Sequence, residues 1–156
     1  MPKPKTPLLT VDCVVFDAIG RVLMIRRKNP PFQGDLALPG GFVDIGETVE
    51  EACRRELVEE TGVKVSRIKL VGVYSDPDRD PRGHTCSAAF ATRVGSAKAI
   101  AGDDAASIEW VANWRRASLA FDHRLIVADA WRLVGAAPTA KATTNAKVKS
   151  KRKSKS

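Results

Sequence analysis

"GFVDIGETVEEACRRELVEETGV", residues Gly41–Val63, decides how this chain is read, because it packs six glutamates into 23 residues. A helix fits from about Thr48 to Thr61, with Gly62 just past its end as the C′ residue. At 100° per residue, with Val49 at zero, Ala52 falls at about −60°, Cys53 at about +40° and Leu57 at about +80°. Those four define an apolar stripe. Glu56 at about −20° and Glu60 at about +20° lie inside it, with Glu59 at its edge near about −80°. Glu50, Glu51, Arg54 and Arg55 point elsewhere, and Glu50 and Glu51 read as a solvated face.

Ionised carboxylates stranded among core residues cost several kcal/mol each, and neighbouring like charges worsen it. A divalent cation removes that conflict. Mg²⁺ prefers hard oxygen ligands, usually one or two carboxylates together with substrate phosphates and waters. Gly40 and Gly41 ahead of the helix permit backbone shapes and close approach closed to other residues. Such a turn can offer a carbonyl to a metal or admit a phosphate, although ordinary turns use the same residues.

Working outward, 156 residues with 44% hydrophobic content suit a single packed domain. No apolar run approaches the roughly 20 residues that cross a bilayer, and the N-terminus lacks the cleavage site of a signal peptide. Cys13, Cys53 and Cys86 are widely spaced, with no CxxC, and read as buried reduced thiols of a cytoplasmic protein. The net charge of +8 belongs to the tails. Seven Lys and Arg residues lie between Ala136 and Ser156, with Lys3 and Lys5 at the other end; without these nine the body stands at −1. Residues 1–6 read as a flexible N-terminus, 7–135 as the folded domain and 136–156 as a disordered basic tail. The tail is a solubilising segment or a weak contact for nucleic acid or another polyanion. It has no aromatic residues to stack on bases, which favours the former.

Within the body, "LTVDCVVFD" and "RVLMIRR" read as strands of a hairpin turning at "AIG", and "KNPPFQGD" as a loop. A short strand at "LAL" precedes the Pro-Gly-Gly turn. Strands follow near "VKVSRIKLVGVYS", "HTCSAAFATRV" and "SIEWVA", with the loop "DPDRDPRG" between the first two. A last helix runs from Asp122, a good N-cap, to about Val134. Strands interrupted by two helices predict an α+β domain, an α/β/α sandwich on a mixed sheet.

The glutamate-rich stretch resembles the signature of the Nudix hydrolases, G-x5-E-x7-R-E-U-x-E-E-x-G-U, where U is a bulky aliphatic residue. Gly41, Glu47, Arg55, Glu56, Leu57, Glu59, Glu60, Gly62 and Val63 satisfy every fixed position. The resemblance implies hydrolysis of a nucleoside diphosphate linked to another group, with Mg²⁺ or Mn²⁺. It implies metal contact by Glu56, Glu59 and Glu60 and by the Gly40 carbonyl, with Arg55 and Glu47 orienting the cluster. The water's proton would pass to Glu56 or to a later acid such as Asp103 or Asp104, which as plain turn residues need no role.

"SDPDRDPRGH" after the box, "RRKNPPFQG" before it and "LAFDH" opening the last helix resemble the ADP-ribose pyrophosphatase branch. The implied reaction takes ADP-ribose and water to AMP and ribose 5-phosphate. Arg27, Arg79 and Arg82 are candidate substrate contacts, as is Asp104, and Phe32, Tyr74 and Phe42 are candidates to stack on adenine. Relatives often carry a tryptophan two positions before the Leu-Pro-Gly-Gly turn; Leu36 and Ala37 stand there instead. The box alone also fits removal of oxidised nucleoside triphosphates such as 8-oxo-dGTP. A third reading is a non-catalytic ADP-ribose-binding regulator, for which the complete box and the short polar run after Gly135 are poor matches. A homodimer is common in the branch; the residues give no sign of an interface.

Overall fold

The computed structural model describes residues 1–95 and 107–135. Asp103 and Asp104, and the basic run from residue 136 onward, lie outside the described residues. The central strand β1 (Leu8–Phe16) runs parallel to β6 (Thr85–Arg93) along its whole length, from Leu8 opposite Thr85 to Phe16 opposite Arg93. Its other edge is shared. β2 (Val22–Arg26) meets it at Phe16, after the expected tight turn, while β4 (Gly40–Phe42) pairs antiparallel with Thr10–Asp12. The short β3 (Leu36–Ala37) and β7 (Ile108–Val111) pair with β2, and β5 (Lys69–Tyr74) lies outside β6. One parallel pair within antiparallel neighbours makes the sheet mixed, as the element pattern predicts.

Strand β1 is buried on both faces from Val11 to Phe16, and the period of two sorts its side chains into two cores. Val11, Cys13 and Val15 join Leu23 beneath Ala52, Cys53 and Leu57 of α1 (Val49–Thr61). Val14 and Phe16 join Val22 and Met24 beneath Ile126, Val127 and Ala130 of α2 (His123–Ala130). The sheet is therefore the middle layer of an α/β/α sandwich. No described helix is long and apolar enough to cross a membrane.

Helix α1 begins and ends where its sequence says. Thr48 caps it in a capping box, its hydroxyl accepting from Glu51 N–H while Glu51 accepts from Thr48 N–H at 2.7 Å. Gly62 ends it at φ 71°, a left-handed conformation that any Cβ would oppose.

Other expectations need correction. The strand read over Val63–Ser75 forms only at Lys69–Tyr74, since Val63 and Val65 pack into the core under α1 instead of pairing. Asp122 makes no side-chain cap on α2, because its carboxylate is claimed by Arg79. Cys13 and Cys53 are buried, but Cys86 is only half-buried, and all are free thiols.

Candidate active site

Four elements meet at the site: the end of β2 with its following loop, β4, one face of α1, and the loop leading into α2. β4 pairs with β1 so that Gly40 stands opposite Asp12 and Gly41 opposite Val11, which lays the two glycines beside α1. A Cβ on Gly41 would fall 2.6 Å from Cδ of Glu56, so glycine is what lets that carboxylate lie against the strand.

Arg55 organises the acids. Its Nε and Nη2 grip Glu47 at 3.0 and 2.5 Å, Nη1 reaches Glu56 at 2.9 Å and Glu59 at 3.2 Å, and Nη2 also donates to the Phe42 carbonyl. Glu47 in turn accepts from Asp44 N–H at 2.8 Å. Two-point guanidinium–carboxylate pairing fixes direction as well as charge. The paired guanidinium holds Glu47 down to about 2, with Asp44 N–H assisting, and Glu47 foremost raises Arg55 above its ordinary range.

Glu56 and Glu60 go the other way. Burial pushes the Glu56 carboxyl up against the opposing pull of Arg55, and Glu59 adds repulsion. Glu60 is pushed up to about 7 by burial, despite accepting from Gly40 N–H at 3.0 Å, with Glu56, Asp12 and Glu59 adding negative charge nearby.

These residues fit a divalent cation, in an open manner. The donors are hard carboxylate oxygens, and burial makes two of them, Glu56 and Glu60, resist ionisation, Glu56 even beside Arg55. Among the described residues no three acidic, His or Cys side chains converge into a preformed cage. Glu59 is 57% exposed and turned to Arg55. A cation that keeps substrate phosphates and waters as ligands needs only one or two carboxylates, which is what Glu56 and Glu60 offer.

Two cavities, of about 120 and 300 Å³, adjoin this cluster and share Ile25, Arg27 and Glu60 in their walls. The smaller runs under Phe42 toward Asp12, His123 and Phe121. Thr10 Oγ1, on its wall, is buried with no hydrogen-bond partner among the described residues. Such an orphan costs about 1–3 kcal/mol, which a polar group of a bound molecule recovers.

The sequence-predicted substrate contacts divide. Arg27 and Arg82 line the smaller cavity, both over the ring of Phe121 at 4.9 and 5.6 Å. Phe32 packs edge-on against Phe121 at 4.9 Å, a neighbour of the cavity and not a free platform. Tyr74 is elsewhere: its hydroxyl donates to Asp129 at 2.7 Å, and its ring packs on the α2 side of the sheet.

Arg79 lines the same cavity from within an ion-pair network. Its side chain is 5% exposed and fully engaged, to Asp122 at 2.8 and 2.7 Å, to Thr85 at 2.9 Å and to Asp12 at 3.5 Å. It is the cation of a buried network at the cavity wall. Asp12 completes that network, accepting from Ser87 at 2.5 Å and lying 3.2 Å from His123 Nε2. His123 Nδ1 accepts from Leu38 N–H at 3.0 Å, so its proton sits on Nε2, facing Asp12. Burial pushes the Asp12 carboxyl up, but His123, Ser87 and Arg79 together hold it below the usual range.

Asp12 was not singled out by sequence reasoning, and Phe121 and His123 entered it only within "LAFDH", with no role of their own. A lone Asp inside an apolar strand was the available signal for the first.

The NUDIX domain profile matches residues 6–129 of the chain. A Methanocaldococcus jannaschii protein named ADP-ribose pyrophosphatase is 49% identical over 123 residues, covering 79% of this chain and 72% of its own length. The crystal structure of a MutT/nudix family protein from Enterococcus faecalis superposes with a TM-score of 0.78 at 34% identity, over 85% of this chain and 64% of that one. The NUDIX domain of Shewanella oneidensis NrtR, crystallised with ADP ribose, superposes at 0.76 with 31% identity, over 83% and 89%.

Proposed function

The chain belongs to the NUDIX domain family, and on that premise we propose that it hydrolyses ADP-ribose to AMP and ribose 5-phosphate in a divalent-metal-dependent reaction. The observation that carries the proposal is the pair of half-buried carboxylates, Glu56 and Glu60, both pushed up by desolvation, set against a glycine strand and held by Arg55 and Gly40 N–H. The choice of substrate is supported by the archaeal relative named for that activity and by the neighbour crystallised with ADP ribose.

Glu56 and Glu60 are the residues that would hold Mg²⁺ or Mn²⁺, with Glu59 and the Gly40 carbonyl as further oxygen donors. The cation, when bound, supplies charge neutralisation for the diphosphate and acidifies water. The chain's own residues do the rest. Arg55 keeps Glu47, Glu56 and Glu59 pointing at one place, so little reorganisation is needed as charge develops at phosphorus. Arg27, on the wall shared by both cavities beside Glu60, is placed to meet a phosphate oxygen. Attack of water on phosphorus breaks the P–O–P bridge, and Glu56 takes the proton that the water loses. One phosphate leaves with the adenosine and the other with the ribose.

The test is to incubate purified protein with Mg²⁺ and a panel of ADP-ribose, NADH, dGTP and 8-oxo-dGTP. AMP and ribose 5-phosphate released fastest from ADP-ribose support the proposal. Faster release of pyrophosphate from a triphosphate sinks the substrate assignment, and tight ADP-ribose binding without product sinks the enzyme reading.

A further inference from the structure

Phe121 stands where its backbone resists standing. Its φ is +52°, a left-handed value costly for a non-glycine residue. The flanking chain enforces it: Leu36 N–H bonds to Ser118, Ala120 N–H to the Leu36 carbonyl at 2.8 Å, and His123 N–H to the Ala120 carbonyl. Non-glycine strain of this sort persists only where surrounding contacts over-determine it, and it concentrates at binding sites.

The strained backbone aims a ring at two cations. The Arg27 guanidinium carbon lies 4.9 Å from the Phe121 centroid and that of Arg82 5.6 Å from it. Phe32 at 4.9 Å and His123 at 5.2 Å pack against the same ring. So surrounded, Phe121 is no platform for a base. Two guanidiniums gathered on one ring repel each other; Arg82 is held by a two-point pair with Asp80, whereas Arg27 Nε donates to the neutral Pro31 carbonyl, and desolvation and then Arg82 lower the Arg27 pKa. An anion between them removes the repulsion. Arg27 also shares both cavity walls with Glu60, which puts the pair next to the carboxylates proposed to hold metal.

We infer that Phe121 is a positioning residue, a cation–π anchor that sets Arg27 and Arg82 as paired contacts for the diphosphate of the substrate. Taking a diphosphate as the ligand rests on the hydrolase reading. Phe121 touches no reacting atom and acts through the two arginines.

The experiment titrates inorganic pyrophosphate calorimetrically into the full chain, first with EDTA and then with Mg²⁺, alongside steady-state kinetics on ADP-ribose. Phe121→Leu keeps an apolar side chain but removes the ring. It is expected to weaken pyrophosphate binding about fivefold and raise KM by a like factor, with kcat within about twofold of the parent. Phe121→Tyr restores both, and Arg27→Ala added to Phe121→Leu costs less than the product of the single effects. A Leu variant that binds like the parent, a Tyr variant that fails to rescue, fully multiplicative effects, or a parent that does not bind pyrophosphate would overturn the inference. If Phe121→Leu does not fold, Arg27→Lys takes its place: it keeps the charge and loses the planar contact. Unchanged pyrophosphate affinity in that variant overturns the inference as well. Normal pyrophosphate binding without ADP-ribose turnover would sink the substrate reading alone.

Discussion

Replacing Glu60 with glutamine should stabilise the metal-free protein while destroying its response to metal. Desolvation pushes the half-buried Glu60 carboxyl up to about 7 in the fold, against an ordinary value of 4.5. Because the folded-state pKa is the higher one, the native state holds this proton where the unfolded chain has already lost it. The group therefore opposes folding progressively as pH rises from 4.5 through about 7, and fully above that. The shift corresponds to about 3 kcal/mol at most. Glutamine is the uncharged isostere and avoids this, at a cost of about 1 kcal/mol for a weaker bond from Gly40 N–H. A net gain of about 2 kcal/mol at pH 8 is expected, or roughly 6 °C in Tm. Chemical denaturation in EDTA at pH 8 and pH 5 measures it, and the difference between variant and parent should shrink toward zero at the lower pH. Excess Mg²⁺ should then stabilise the parent and leave Glu60→Gln unmoved. Loss of stability at pH 8 in EDTA, or equal Mg²⁺ stabilisation of both proteins, would refute the reasoning.

Gly41→Ala should displace the Glu56 carboxylate, a flexible side-chain end, at less than about 1 kcal/mol of stability. Its turnover should nonetheless fall by about two orders of magnitude, which parallel melting and activity measurements would show. Arg79→Met should cost about 3–5 kcal/mol, because Asp122 and Asp12 lose their buried partner. The double variant with Asp122→Asn should recover part of that in a denaturation cycle. In Arg55→Ala, Glu47 should titrate back toward its ordinary 4.5 from about 2, a displacement that carbon-detected NMR follows residue by residue.

The placement of the glutamate box was legible because its logic is local. Helical periodicity places Glu56 and Glu60 among apolar neighbours, Thr48 and Gly62 carry capping chemistry, and Arg55 lies within eight residues of each of its acids. The α/β/α layering was legible too, since β1 alternates cleanly between two cores. Substrate contacts were less so. Arg79 and Arg82 sit three residues apart in one polar loop, and nothing in that loop says that both line one cavity, Arg79 at 5% exposure and Arg82 at 54%.

What separates those two arginines is long-range pairing. Arg79 meets Asp122, 43 residues away, and Asp12, 67 residues away. Asp122 looked like a helix cap because in isolation a cap is its best available bond, and a buried guanidinium outbids it. The sequence by itself determined the family, the helix that bears the carboxylates and the class of metal they suit, all consequences of residue spacing within a few turns. Only the tertiary structure decided that Arg79 is buried with Asp12 and Asp122 while Arg82 stays exposed, that Phe121 gathers Arg27 and Arg82, and that Asp12 and His123 line the same cavity. Those choices depend on which charges become buried together, and burial is a property of the assembled sheet and not of any segment.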